Sequence, residues 1–519
     1  MKKNRRFINR DKLNNIVLII IAFILVLFAN SASWMRKNFG GMDIRAAVFQ
    51  LNTPMTGTGH EMIEAYIYGC FVKTFFEVFL ITVLLLVVRS ILSYEALKWN
   101  ITLFGHKKKV NIVWKKSAWK KRIAWTMVFL GLLIWCYRSA VEIGLFRYIE
   151  AQKNDNTYLE NNFVDPRDVS IRFPEKKRNL LFIYMESMET TYASVEEGGG
   201  KNENYIPFLT ELAKENICFS NTSNSFGGHN WYGLTGWTMA SLMGSTSGAP
   251  YLIPVIEESE YTELLPNLYT LGDILENEGY INYFMCGSDS EFGARKAYYK
   301  SHGNYTVYDY YTAIEDGIIP EDYYAFWGME DKYLYEYAKE KLTDISKSSE
   351  PFNFTMLTVD THHMDGFVCD LCTDEYESQY GNVIACADRQ IQDFIEWVYE
   401  QDWFENTTVI IVGDHNSMNN NFWDDLPENY ERSIYNCFIN VDDSVSTENT
   451  TNREMIALDL FPTTLATLGA EIEGERLGLG TNMFSEIPTL QERDGKEVFD
   501  ELSQAYSKYF EERYILNRK

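Results

Sequence analysis

Val409-Ile410-Ile411-Val412-Gly413-Asp414-His415 is the stretch that decides the fold. Four consecutive β-branched residues closed by a glycine read as a strand buried on both faces, as in a parallel sheet. Ligands of open α/β sheets bind beyond the carboxyl ends of the strands. Asp414 and His415 stand at such an end, and a carboxylate beside an imidazole makes half of a metal site. Leu180-Leu181-Phe182-Ile183-Tyr184 is a second run of the same kind, and it delivers Met185-Glu186-Ser187. Two core strands that each bring an ionisable side chain to one sheet edge predict a mononuclear hydrolase or transferase site.

Around these runs, apolar and amphipathic stretches alternate from Arg178 onward. Helices are expected over Ile206–Ile217, Leu268–Glu278 and Val383–Tyr399, and strands over Tyr280–Cys286, Phe352–Val359 and Thr408–Val412. The expected class is α/β, a mostly parallel central sheet with helices on both faces. Leu490–Asn517, within the terminal segment 486–519, reads as one C-terminal helix with a charged side.

The 519 residues exceed one ordinary domain, and charge divides them. Residues 1–150 hold 22 of the 47 Lys and Arg but 8 of the 73 Asp and Glu, a balance of +14, which leaves −40 on the rest. So acidic a remainder repels polyanions and excludes nucleic acid as a partner. Segments 16–33, 66–92 and 123–146 are apolar enough to propose three transmembrane helices, near the length of about 20 residues that crosses a bilayer. Lys73, Glu77 and Arg89 interrupt the second. The first is read as a span rather than a cleaved signal, because no small-residue cleavage site precedes a soluble domain.

Lys2, Lys3, Arg5, Arg6, Arg10 and Lys12 place the N-terminus in the cytoplasm. Lys107, Lys108, Lys109, Lys115, Lys116, Lys120, Lys121 and Arg122 place the loop before the third span there too. The expectation is a multi-pass plasma-membrane protein whose membrane region, 1–147, is followed by a polar linker, 148–176, and an extracytoplasmic catalytic domain, 177–485. Six of eight cysteines fall in that exterior part, where disulfides are permitted. Cys369-Asp370-Leu371-Cys372 reads as a zinc half-site or a redox pair. No second CxxC completes a zinc knuckle, so a structural bridge among Cys369, Cys372 and Cys386 is expected.

Gly236-Trp237-Thr238 closes a glycine-rich stretch, Gly227 to Gly236, and opens a helix-like run. Free N–H groups and the positive end of a helix dipole favour a phosphate-bearing group there. A threonine hydroxyl beside a divalent metal is a workable nucleophile. The plainer alternative is that Thr238 caps the helix. Trp231 and Trp237 offer either a face for a sugar or glycerol, or core packing. His363 lines the pocket of His362, while His229 and His302 read as hydrogen-bonded loop residues.

Tyr184-Met185-Glu186-Ser187, Gly236-Trp237-Thr238, Asp360-Thr361-His362 and Gly413 to Asn420 together resemble the alkaline phosphatase/sulfatase superfamily. Leu458 to Thr463 and Arg476 to Asn482 extend the likeness, which covers roughly 177–485 and is nearest the phosphoglycerol transferase and lipoteichoic acid synthase branches. The resemblance implies that Glu186, Asp414, His415 and Thr238 hold one divalent ion, usually Mn2+ in the family, with Mg2+ or Zn2+ also compatible with those ligands. It implies that Thr238 attacks phosphorus and that His362 holds phosphoryl oxygens or protonates the leaving alcohol. Arg295 falls where a phosphate-binding arginine is expected, and Asp289 where an aspartate lies near glycerol. Trp237 joins them as a substrate contact.

The implied reaction moves glycerophosphate from phosphatidylglycerol to an external glycan or glycolipid through a phosphothreonine. Gly293 replaces the Trp that polymerising synthases carry two residues before the arginine, and they show five spans rather than three. Single transfer is therefore favoured over polymer synthesis. A phosphoethanolamine transferase or a phosphodiesterase on the same fold is the alternative, and a non-catalytic envelope-binding protein a more distant one. Sulfate ester hydrolysis is disfavoured, because Thr238 lies outside any C/S-x-P-x-R context.

Overall fold

The computed structural model describes residues 10–38, 44, 60–91, 96–103, 106–113, 118–151, 153, 155–252, 264–419, 422–427 and 429–516. The basic residues Lys2, Lys3, Arg5, Arg6, Lys115 and Lys116 lie outside this set, as do Leu92 and Asn420. The chain divides into two units, one of Met1–Lys37 with His60–Phe146 and one of Asn38–Gly59 with Arg147–Lys519.

In the first unit, helices α1 (Arg10–Asn38), α2 (Lys73–Ile91) and α3 (Ala118–Glu142) carry the apolar segments. Asn15–Asn38 and Ile63–Val88 are each long and apolar enough to cross a membrane. Trp125–Glu142 and Leu145–Ala151 reach that test only as a pair bent by 61°. Gly144 sits between them at φ 73, where the right-handed helix cannot continue. Ala22, Val26, Val78 and Leu132 form a small core, while Ile20, Ile24, Phe75, Phe79 and Leu84 are exposed. The charge that interrupts the second segment is met inside the unit: Asn30 Nδ2 donates to Glu77 Oε2 at 2.7 Å and to Thr74 Oγ1 at 3.0 Å. Ala96–Leu103 and His106–Val113, expected as a basic loop, pair as an antiparallel hairpin.

The second unit is built on a six-stranded sheet. In chain order its strands are β1 (Asn179–Met185), β2 (Ile281–Cys286), β3 (Thr306–Tyr308), β4 (Phe352–Leu357), β5 (Thr407–Gly413) and β6 (Asn436–Ile439). They lie side by side as β6-β5-β1-β4-β2-β3. Every pairing is parallel except that of β6 with β5. Successive side chains of a strand point to opposite faces. Leu180, Phe182 and Tyr184 of β1 join one core with Ile410 and Val412 of β5. Leu181, Ile183 and Met185 join the other with Val409 and Ile411. Both faces are covered, which is why the runs are apolar throughout instead of alternating.

Helices close the two faces. Leu271–Asn277, Leu460–Thr467 and α5 (Thr238–Ser247) pack on the first, while α4 (Pro207–Glu215), Asp331–Ile345 and α7 (Gln379–Tyr399) pack on the second. A short helix α6 (Arg295–Ser301) lies between β2 and β3. This is the α/β class expected from the sequence, a mostly parallel central sheet with helices on both faces.

Two terminal segments differ from expectation. The stretch 148–176, read as a linker, packs on the C-terminal elements: Tyr158 against Phe499, and Phe163 against Phe510 and Tyr514. Its polar composition hid two aromatic anchors. The single C-terminal helix is instead four pieces, Leu490–Asp494, Lys496–Ser503, Lys508–Phe510 and a π-helical turn Glu511–Ile515. Gly495 at φ 85 ends the first, and Ser507 caps the third afresh.

Candidate functional site

β1 and β5 are neighbours in register, with Met185 opposite Gly413. Glu186 and Asp414 therefore leave the sheet side by side. Gly413 cannot be larger, since a Cβ there would stand 1.9 Å from Met188 O. Asp414 is fixed through one oxygen only. Its Oδ1 accepts the Ser187 N–H at 2.7 Å and the His415 N–H at 2.8 Å, and its Oδ2 accepts no hydrogen bond among the described residues. His415 Nδ1 donates to Asn416 O at 2.9 Å, which fixes the tautomer and leaves Nε2 as the free lone pair. Nε2 lies 3.3 Å from Asp414 Oδ2 and 3.5 Å from Glu186 Oε1. The three ligand atoms fall within 4.8 Å of one another, and all three residues are buried.

Thr238 completes the cluster. Its Oγ1 is 3.3 Å from Glu186 Oε2 and 3.4 Å from His415 Nε2. It does not cap α5; Trp237 occupies the cap and Thr238 is the first helical residue. The first intrahelical bond runs from Ser241 N–H to Trp237 O, so the amides of Thr238, Met239 and Ala240 have no partner within the helix. The side chain is thus released for chemistry at a positive helix end.

Electrostatics make the cluster incomplete as it stands. Burial and the Glu186 charge push Asp414 up to about 7. Burial alone would depress His415, yet Asp414 and Glu186 outweigh it and hold the imidazole above its usual value. Buried acid of this kind needs a proton or a cation. The donor set, two carboxylates, an imidazole and a hydroxyl, with one carboxylate oxygen left without a hydrogen bond, fits a divalent cation.

Beyond it lies a second group. His362 follows β4, its Nδ1 donates to His363 O at 2.7 Å, and burial drives it down to about 4, so Nε2 is a lone pair at neutral pH. Arg295 heads α6, its Nη2 donating to Asp289 O at 2.8 Å and its Nε to Phe292 O at 3.0 Å. An added Cβ on Gly293 would stand 3.8 Å from Met239 Cβ, so this loop reaches the α5 N-terminus. Asp289 Oδ1 accepts the Glu291 N–H at 2.9 Å. Trp237 is only 8% exposed and packs edge-on against Tyr251, which leaves core packing rather than a sugar face. Trp231, 41% exposed, lies over Gly236 and offers the face that Trp237 does not.

Sequence reading missed several supports. Trp327 packs on His362 at 4.8 Å and on Phe292 at 5.2 Å, linking the histidine to the arginine loop. Glu189 accepts the Ser417 N–H at 2.7 Å and the Arg432 Nε–H at 2.9 Å, which fixes the turn after His415. The only sequence signal was the spacing of Glu189, three residues after Glu186.

A family model described as Sulfatase matches residues 178–470. Phosphoglycerol transferase I of Escherichia fergusonii is 31% identical over 273 residues, 50% of this chain and 34% of that protein. The protein of the same name from Escherichia coli is 30% identical over 280 residues, 52% of this chain and 35% of its own. The chain thus spans about a third of the length of these relatives. Among solved structures, an alkaline phosphatase superfamily protein from Vibrio parahaemolyticus is 19% identical with a TM-score of 0.46, over 64% of this chain and 76% of that one. The lipoteichoic acid synthase LtaP of Listeria monocytogenes is 19% identical with a TM-score of 0.45, over 62% and 82%.

Proposed function

The chain belongs to the Sulfatase family, and from that premise we propose that it is a membrane-anchored phosphoglycerol transferase. In this reading it moves glycerophosphate from phosphatidylglycerol to an extracytoplasmic glycan or glycolipid acceptor. The observation that carries it is the meeting of Thr238 Oγ1 with Glu186 and His415 at the first amides of α5, which have no partner within the helix. The name shared by the two Escherichia relatives supports the transferred group.

Glu186, Asp414, His415 and Thr238 would hold one divalent cation, Mn2+ by preference. Such a cation, when bound, lowers the pKa of the hydroxyl and screens the phosphoryl charge. Thr238 Oγ1 gives up its proton toward Glu186 Oε2 and forms a bond to phosphorus, while the bond from phosphorus to the diacylglycerol oxygen breaks. An anionic phosphodiester beside His362 Nε2 favours the imidazolium, which then hands its proton to the departing oxygen. Arg295 holds phosphoryl oxygens, and Trp231 or Asp289 faces the glycerol. In the second half the acceptor hydroxyl gives its proton to His362 and bonds to phosphorus, while the bond from phosphorus to Thr238 Oγ1 breaks and that oxygen takes back the proton held by Glu186. The helices able to cross a membrane anchor the chain where its donor lipid resides. The N-terminus is cytoplasmic in this proposal, and the catalytic unit is outside.

Full-length chain in detergent, given glycerol-labelled phosphatidylglycerol, Mn2+ and a glycan acceptor, tests the proposal. Label on the acceptor with release of diacylglycerol supports transfer. Label only in free glycerol phosphate indicates a phosphodiesterase, and no release from this lipid beside release from phosphatidylethanolamine indicates the other donor.

A further inference from the structure

We propose that Cys369, Cys372 and Cys386 hold a thiophilic divalent cation of the zinc class, with the amide oxygen of Gln390 as its fourth donor. The site is separate from the catalytic cluster, and its donors come from two elements. The loop after β4 supplies Cys369 and Cys372, drawn into a turn by the Cys372 N–H donating to Cys369 O at 3.2 Å. Helix α7 supplies Cys386 and Gln390, four residues apart and so on one face. Where the sequence led to a structural bridge, the zinc half-site that the CxxC spacing also offered finds its complement on a helix rather than in a second CxxC.

Distances fit an ion better than a bridge. Cys369 Sγ is 3.7 Å from Cys372 Sγ and 3.7 Å from Cys386 Sγ, and the three sulfurs lie within 4.8 Å of one another. Tetrahedral coordination with Zn–S of about 2.3 Å places sulfurs about 3.8 Å apart. All three cysteines are free, and two are buried. Closing one disulfide would use two sulfurs and strand the third, whereas a cation uses all three.

Gln390 is the independent observation. Its side chain is buried, at 6% exposure, and its Oε1 has no partner among the described residues. Its Nε2 sits 3.4 Å from Cys386 Sγ and 3.9 Å from Cys369 Sγ. Rotating the amide by half a turn exchanges the two atoms and is invisible in shape. The rotated form brings the orphaned oxygen to the sulfurs as a lone-pair donor. Asp331 and Asp360, both buried, lie within electrostatic reach of Cys369. Binding displaces the protons of the thiols to solvent and involves no redox step. Thiolate donors select zinc-like ions over Mg2+ or Mn2+. The cation would tie to α7 the loop that also carries His362, in which Phe367 N–H donates to Asp360 O at 2.7 Å.

The test is a Co2+ titration of the full-length chain in detergent after chelator treatment, read by absorption. Of the two candidate cation sites among the described residues, this one alone offers sulfur, so sulfur-to-cobalt charge transfer reports it apart from the catalytic cluster. Bands that saturate at one equivalent, collapse when Zn2+ is added, persist in Asp414→Asn and weaken several-fold in Cys386→Ser are the expected result. Cys372, the least buried of the three, gives a second variant, Cys372→Ser, should Cys386→Ser fail to fold. A folded chain without sulfur charge transfer overturns the proposal. So does alkylation of the unreduced, as-isolated chain that finds two of the three cysteines already joined as a disulfide.

Discussion

Met185 and Gly413 face each other in the parallel pairing of β1 and β5. The next residue on each strand, Glu186 and Asp414, is a ligand candidate, so the site is set by sheet register before any loop is considered. A slip of one residue would send one carboxylate to the opposite face.

Asp414→Asn tests the free oxygen. The variant keeps an acceptor for the Ser187 and His415 amides and places an NH2 where Oδ2 stands. The expected outcome is a folded chain with the melting behaviour of wild type. Its Mn2+ affinity should fall by more than the roughly 10- to 100-fold typical of changes to supporting groups around a metal, with transfer lost in step. Metal analysis by mass spectrometry and isothermal titration checks both.

Gly413→Ala tests the packing that delivers Asp414. A Cβ 1.9 Å from Met188 O forces the backbone to shift. The cost should be on the order of 1–3 kcal/mol of overpacking strain. Denaturant midpoints should fall, and cation binding should fall with them even though no ligand has been altered.

Thr238→Ala should abolish transfer, by on the order of 10^3-fold or more as for other nucleophile deletions, while the Mn2+ site stays partly filled. Thr238→Ser retains a hydroxyl and should recover part of the rate. Steady-state rates with labelled lipid, alongside metal content, separate these outcomes.

The strands, and the meeting of Glu186, Asp414 and His415 at one sheet edge, were legible because two run types, apolar stretches ended by Gly413-Asp414-His415 and by Met185-Glu186, carry their own register. Thr238 was legible as a residue, but its release from capping was not, because the cap fell to Trp237. What escaped were supports that no motif marks. Trp327 reached His362 only through a loop conformation, and Gln390 met the three expected cysteines only through the docking of α7. Segment 148–176 misled because polar residues outnumber the two rings, Tyr158 and Phe163, that anchor it.

His229 predicts a pH effect on stability away from the catalytic groups. Its ring is fully buried, and neither nitrogen has a hydrogen-bond partner among the described residues; burial drives it down to about 3 from 6.5. Between those values the unfolded chain binds a proton that the folded chain refuses. Stability contributed by the neutral ring is therefore present above about 6.5 and lost as pH falls toward 3. Relative to His229→Leu, wild type should lose up to about 1.4 kcal/mol per pH unit in that window. Paired unfolding curves across it give the difference, in which other titrating groups cancel; a flat difference would contradict the assignment.

The most direct measurement is peptide mass spectrometry of the full-length chain, quenched in acid after exposure to phosphatidylglycerol and Mn2+ without acceptor. A glycerophosphate adduct on Thr238, absent in Thr238→Ala and cleared when acceptor is added, is the predicted result. Turnover of lipid by a chain that never carries the adduct on Thr238, or carries it on another residue, would contradict the account.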